Sequence, residues 1–273
     1  MQKGFTVLEL LVVIAIIGIL SSIILVSYNG YAAKARIART LQWAGSINHS
    51  LGDQAVGVWT FDNISGSAVY DDSGLGNNGT INKGGNGTGC DIVDGVVGRA
   101  MSFDGVDDYV DVTSSTSLSP TGAITIGAWI KTSNNAITPQ EIVDKRDPSN
   151  TGSYLFRMEG GYIAFYFYNA GWKSLTDTTN LLQNNAWYYA VATYDQSNIR
   201  LYINGVQVKS VAQTASLGIN SASVNIGRRS GASIQYFNGL IDDVRIFSEA
   251  LTQSQIQQHY ADGLPAHQNL VIR

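Results

Sequence analysis

The chain has 273 residues, room for one or two domains, and its formal net charge of −4 gives no electrostatic footprint for a nucleic-acid partner. Charged residues make up 14% against 44% apolar, and Gly, Ser, Asn and Thr fill the deficit, a profile of β-rich extracellular domains. With one cysteine, Cys90, an intramolecular disulfide is excluded.

Residues 5 to 26, FTVLELLVVIAIIGILSSIILV, form an apolar run broken by Thr6, Ser21, Ser22 and the carboxylate of Glu9. At about 1.5 Å per residue, a helix of this length spans roughly 33 Å, enough to cross a hydrocarbon core. The leader Met1-Gln2-Lys3-Gly4 is too short for a secretory signal, and the run has no A-x-A-like end, so it reads as a retained anchor. Glu9 is the anomaly. A carboxylate inside a spanning helix costs about 2.5–3.5 kcal/mol and needs a partner that the run does not contain.

A basic leader ending in glycine, then Phe5-Thr6-Val7-Leu8-Glu9 and a long apolar helix, resembles the prepilin signature of type IV pilins and pseudopilins over residues 1–35. The resemblance implies cleavage after Gly4 by a prepilin peptidase and N-methylation of Phe5. It assigns Glu9 to meet the N-terminal amine of a neighbouring subunit in a helical filament, which gives each buried charge a partner. It also implies a single-pass precursor in the cytoplasmic membrane, N-terminus inside, handed by the pilus assembly machinery to a surface filament. Two features depart from the pattern. Val26 stands where many pilins carry proline, and Lys34, Arg36 and Arg39 after the run favour the opposite orientation by charge alone.

From Tyr31 to Leu51 the alanine- and arginine-rich sequence, with Ile37, Leu41 and Ala44 at helical spacing, continues the helix. After Gly52 the periodicity changes to alternation. Strands are expected from Val58 to Phe61, then at 100–103, 109–112, 124–130, 154–157, 162–168, 187–194, 200–203, 206–211, 224–226 and 241–247. Asn204-Gly205 suits a two-residue type I′ turn joining Arg200–Ile203 to Val206–Val208. A short helix begins with Thr252 as cap and runs to Tyr260, before a tail from Gly263. The domain reading is a leader (1–4), a pilin helix (5–54), an all-β sandwich (55–262) and a tail (263–273).

The ordered landmarks Val58-Trp59-Thr60-Phe61-Asp62, the 71–80 loop DDSGLGNNGT, Ser102-Phe103-Asp104-Gly105, Ile126–Ile130, Trp187–Asp195, Leu201–Gly205 and Gly239–Phe247 resemble the laminin-G-like, concanavalin A-like jelly roll. That family implies two curved antiparallel sheets, a carbohydrate- or protein-binding role and often a bound calcium ion. By resemblance, Asp72, Asn78 and Asp242 are the candidate calcium ligands, with Asp71, Asn77 and Asp243 beside them. The plainer reading is that Asp72 and Asn78 cap turns and Asp243 pairs with Arg245. In Tyr162–Tyr168, alternation sends Phe165 and Phe167 to one face and Tyr166 and Tyr168 to the other. Tyr166, Tyr168 and Trp172 are therefore candidates for stacking on a sugar, with Lys145, Arg146 and Asp147 at the same end; ordinary cross-strand packing is the alternative.

Catalytic readings find little footing. Glu141, Glu159 and Glu249 are scattered in sequence, and His49, His259 and His267 lie away from any nucleophile pattern. The expectation is a non-enzymatic filament subunit displaying a lectin-like domain. A membrane-held or tip-located adhesin that does not polymerise, and a surface polysaccharide hydrolase, stay open beside it.

Overall fold

A computed structural model describes residues 55–85, 89–136, 139–149 and 152–264. The expected helix from Phe5, with Gly4, Phe5 and Glu9, lies outside the described residues, as do His49 and His267. Among the described residues no helix is long and apolar enough to cross a membrane.

The first half of the sandwich contains β1 (Ala55–Trp59), β2 (Ile64–Ser65), β3 (Ala68–Val69), β4 (Gly79–Lys83), β5 (Ile92–Asp94), β6 (Arg99–Asp104), β7 (Asp108–Val112) and β8 (Ile124–Thr132). The second half contains β9 (Gln140–Arg146), β10 (Gly152–Glu159), β11 (Tyr162–Tyr168), β12 (Trp172–Thr176) and β13 (Tyr188–Tyr194). After these come β14 (Asn198–Ile203), β15 (Val206–Ala212), β16 (Val224–Ile226), β17 (Asn238–Phe247) and the helix α1 (Gln253–Gly263). One sheet has eight strands in the order β15-β14-β13-β8-β17-β6-β5, with β1 also paired to β17. The other has nine, in the order β12-β11-β10-β9-β16-β7-β4-β3-β2. Both are antiparallel throughout, as an alternating sequence with Gly/Asn turns demands.

Alternation places Phe165 and Phe167 of β11, Tyr154 and Phe156 of β10 and Val110 and Val112 of β7 in one core. Ile126, Ile130 and Tyr194 of the facing sheet join them there. The outer face of the eight-stranded sheet is apolar too. Trp129, Tyr189, Val191 and Phe247 form a second cluster with Ile256 of α1. Tyr260 of the helix stacks on Trp129 at 5.5 Å between centroids. Thr252 caps α1 through a reciprocal box with Gln255, so the expected cap is correct and the helix runs on to Gly263, past the expected tail boundary.

The expected hairpin forms as read, Asn204 and Gly205 both adopting positive φ (52° and 78°). Strands β11 and β16 have the expected bounds, whereas β2, β3, β4, β5, β9 and β12 were not expected from sequence. The opening strand is shifted to Ala55–Trp59, because Phe61, expected within it, takes a left-handed φ of 60°.

Candidate functional site

With α1 covering one sheet, the outer face of the nine-stranded sheet is where polar side chains gather. Its register lines up Asp111 of β7, Asn225 of β16, Asp144 of β9, Leu155 of β10, Tyr166 of β11 and Ser174 of β12 in one row. A second row carries Glu141, Arg157, Ala164 and Thr176. Residues directly opposite across antiparallel strands share a face, so these rows belong to one surface. Glu141 and Asp144 are three apart, an odd spacing that a regular strand sends to opposite faces. The register shift in β10 against β9 lets Ile142 and Val143 both enter the core and returns the two carboxylates to the same side.

The carboxylates are clamped by two arginines. Arg146 Nε donates to Asp144 Oδ2 at 2.7 Å and its Nη2 to Glu141 Oε1 at 2.5 Å. Arg157 donates to Glu141 Oε1 at 3.4 Å and to Glu159 Oε1 at 3.0 Å. Tyr166 Oη donates to Glu159 Oε2 at 2.5 Å. The guanidinium planes then meet the aromatics: Arg157 sits 4.4 Å from the Tyr166 ring centroid, and Arg146 sits 6.0 Å from that of Trp172. Trp172 meets Tyr168 edge-on at 5.4 Å and Tyr166 at 6.3 Å. Thus the three expected stacking residues, Tyr166, Tyr168 and Trp172, form one half-exposed aromatic group, and Arg146 borders it. Lys145 does not. Its amine is buried among Ser114 Oγ and the carbonyls of Asn220 and Ala222, and burial lowers its pKa to about 8.

At the other end of the rows, Asn225 Nδ2 donates to Asp111 Oδ1 at 2.6 Å, and Arg228 donates to Asn225 Oδ1 while lying 3.3 Å from the Tyr109 centroid. A cavity of about 280 Å³ opens here between Asp111, Arg146, Asn225 and Arg228. The face is therefore continuous from a tyrosine–tryptophan group to a recess lined by arginine and amide.

Burial raises the Glu141 carboxyl to about 8, with the neighbouring Asp144 adding to the rise and Arg146 and Arg157 opposing it. Among the described residues its Oε2 has no hydrogen-bond partner. In the unfolded chain the same group titrates near 4.5, so folding is favoured by this residue below that value, and the advantage is lost as pH rises towards 8. Glu141→Gln keeps an acceptor for both arginines and cannot ionise. It is expected to flatten the fall in unfolding free energy between pH 5 and 8, which denaturant melts at several pH values will read; identical slopes in both proteins will contradict the assignment. Glu141 and Glu159, scattered in sequence, thus share Arg157. Glu141 and Asp144 are fully buried. A glycosidic acid or nucleophile must reach its substrate, and neither presents an oxygen to solvent.

Of the residues expected to hold calcium, Asp72 and Asn78 are engaged in turns and Asp242 lies within β17. Asp72 accepts from Thr60 Oγ1 and Asn63 Nδ2, and Asn78 Oδ1 accepts the Asp71 amide. Asp71 itself accepts from the amides of Val58, Ser73 and Asn77, the turn-capping alternative. Asp242 Oδ2 accepts the amides of Val96 and Val97, leaving the buried Oδ1 without a donor, and burial raises the carboxyl to about 7. Asp243 pairs with Arg245 at 2.9 Å. Acidic side chains at ligand spacing occur elsewhere, in Asp104, Asp107 and Asp108, whose oxygens lie within 4.8 Å of one another.

Two family models match the chain. Residues 1–25 match the prokaryotic N-terminal methylation motif, and 104–257 match the concanavalin A-like lectin/glucanases superfamily. The fimbrial protein EcpC of Eikenella corrodens is 33% identical over 116 residues, covering 38% of this chain and 74% of that protein. The chain is a type IV pilin fused to a concanavalin A-like jelly roll. The major pilin PilE of Neisseria gonorrhoeae is 35% identical over 75 residues, 27% of the chain, and the match spans only 45% of PilE. For the jelly roll of this pilin the solved relatives share fold. The binding domain of Paraclostridial Mosquitocidal Protein 1 superposes with a TM-score of 0.62 at 17% identity, over 78% of this chain and 53% of that one. Domain 4 of AbnA, an extracellular arabinanase of Geobacillus stearothermophilus, superposes at 0.58 with 23% identity, over 75% of this chain and 97% of that one.

Proposed function

We propose that this pilin is processed after Gly4, methylated at Phe5 and assembled through its 5–26 helix, with Glu9 meeting a neighbour's amine. The membrane-inserted precursor would pass to the pilus machinery and reach the cell surface in a filament that displays the jelly roll as a glycan-binding adhesin domain. The observation that carries the binding role is the Tyr166–Tyr168–Trp172 group bordered by Arg146 and Arg157 on the outer face of the nine-stranded sheet. A sugar ring offers an apolar C–H face to an aromatic plane and hydroxyls to fixed donors and acceptors, and this surface holds both kinds of group side by side. The likeness to AbnA domain 4, solved with arabinotriose, supplies a first probe.

Trp172→Ala is expected to weaken binding of arabinotriose, or of the best ligand in a panel of plant and bacterial oligosaccharides, by about tenfold or more, as loss of a central aromatic anchor does. Trp187, which meets Lys131 on the opposite sheet, is the control. Equal affinity in wild type and Trp172→Ala will show that this face is not the binding surface.

A further inference from the structure

The turn between β6 and β7, Asp104-Gly105-Val106-Asp107-Asp108, brings three carboxylates within 4.8 Å of one another. Backbone amides and the Cys90 thiol are among the donors they meet. Asp108 Oδ2 accepts from Cys90 and Asp104, Asp107 Oδ2 from Gly85, and Asp104 Oδ1 from Val106 and Asp107. Among the described residues, Asp107 Oδ1 and Asp108 Oδ1 are buried without a hydrogen-bond partner. Asp108 is itself 0% exposed. Its carboxyl is raised by burial, with the Asp104 charge adding to the rise. Backbone also closes on the cluster. A Cβ at Gly84 would fall 1.8 Å from the Asp107 carboxyl carbon, and one at Gly89 would fall 1.8 Å from Asp108 Oδ2. Only glycine backbone can approach so closely, and both glycines sit at positive φ (58° and 89°).

Buried carboxylate oxygens left unpaired beside other carboxylates cost free energy that a cation removes. The geometry points to a calcium site formed by Asp104, Asp107 and Asp108, separate from the Asp72, Asn78 and Asp242 positions. Two oxygens on one calcium ion stand at most about 4.6–5.2 Å apart, so the cluster's spacing suits that ion, whose flexible coordination accepts carbonyls and water for the remaining places. Because Asp107 holds the Gly85 amide and Asp108 the Cys90 amide, the ion also ties the approach to β5 onto the β6–β7 turn. Cys90 is the single cysteine and is buried, so its thiol reports on that loop. The site stands independently of the glycan-binding reading.

The test uses the full chain in detergent, stripped of metal and titrated with calcium alone. Isothermal titration should give one calcium per chain, and at a hundredfold excess over Kd the Tm should rise by about 5–10 °C. Labelling of Cys90 by a thiol reagent should slow about tenfold or more in calcium as the loop opens less often. Asp107→Asn should abolish all three responses. Because it removes one of three crowded charges, it should also melt above the wild type in EDTA, which a purely structural aspartate would not do. Asp72→Asn should respond as the wild type does. No calcium binding by the wild type overturns the site, as does a normal response from Asp107→Asn. Loss of the response in Asp72→Asn with retention in Asp107→Asn overturns it too, by moving the ion to the first loop. Should Asp107→Asn not fold, the same calorimetry on Asp104→Asn and Asp72→Asn decides between the two loops.

Discussion

Arg146→Ala is expected to lower the unfolding free energy by about 3–5 kcal/mol, the range for stripping one partner from a buried ion pair. Asp144 and Glu141 are fully buried, and Arg146 is 5% exposed above them. Removing its guanidinium takes away the Nε donor to Asp144 and the Nη2 bonds to both carboxylates and to Gln235. Asp144, whose carboxyl burial already raises, then keeps the amides of residue 146 and Ser230 as donors but loses its cation. The loss should therefore fall on Asp144. Replacing the pair together, as Asp144→Leu with Arg146→Met, should recover most of the stability, since well-packed apolar groups substitute for a buried ion pair at little cost. Denaturant unfolding of the single and double variants measures both; a single variant within 1 kcal/mol of wild type will show that water reaches the carboxylates.

Glu9→Ala is expected to leave the precursor in the membrane and cut after Gly4, yet to remove surface filaments. In the proposed assembly each Glu9 faces the methylated amine of a neighbouring Phe5. Losing the acid leaves that ammonium unpaired among apolar helices, a penalty of about 3–5 kcal/mol at every subunit contact. Each 1.4 kcal/mol is tenfold, so the association constant falls by about a hundredfold or more per contact. Electron microscopy of sheared surface fractions reads the filaments, and the N-terminal mass reads cleavage and methylation. Wild-type filament yield from Glu9→Ala refutes the pairing. A native product that begins at Met1 and stays monomeric leaves the adhesin tethered in the membrane.

The sandwich was legible where strands follow simple alternation. In β11, Phe165 and Phe167 alternate with Tyr166 and Tyr168 and the bounds came out as read; in β14 and β15, Asn204-Gly205 fixed the turn. Strand β9 shows what hides a strand. Its sequence Gln140-Glu-Ile-Val-Asp-Lys-Arg146 carries four ionisable side chains yet is buried at every position, because Arg146 bonds to both acids, Lys145 is held by Ser114 and the Ala222 carbonyl, and a bulge resets the faces. No periodicity in the sequence announces either fact. The short strands β2 and β3 and the three-residue β5 are likewise too brief for a period to register. The same cause divided the site. Tyr166, Tyr168 and Trp172 group on adjacent strands joined by a short turn, which a local reading can see, while Arg157 meets Glu141 and Asn225 meets Asp144 across 16 and 81 residues (157 − 141 and 225 − 144). A hint did exist in Glu141 and Arg146, opposite charges flanking the apolar pair Ile142-Val143, but only three-dimensional register gives it meaning.

One last consequence follows from β1. Strand β1 opens the described sandwich at Ala55; it pairs with the last four positions of β17, and on its other side Val56 and Val58 bond to the 71–77 loop. All five residues of β1 are buried, and Trp59 is fully so, its indole N–H donating to the Asn77 carbonyl at 2.9 Å. A load applied to the sandwich through the preceding chain falls on this strand first. Traction cannot strip it away without dragging an indole through the packed interior, so the seam where the tether joins is also among the hardest places to tear.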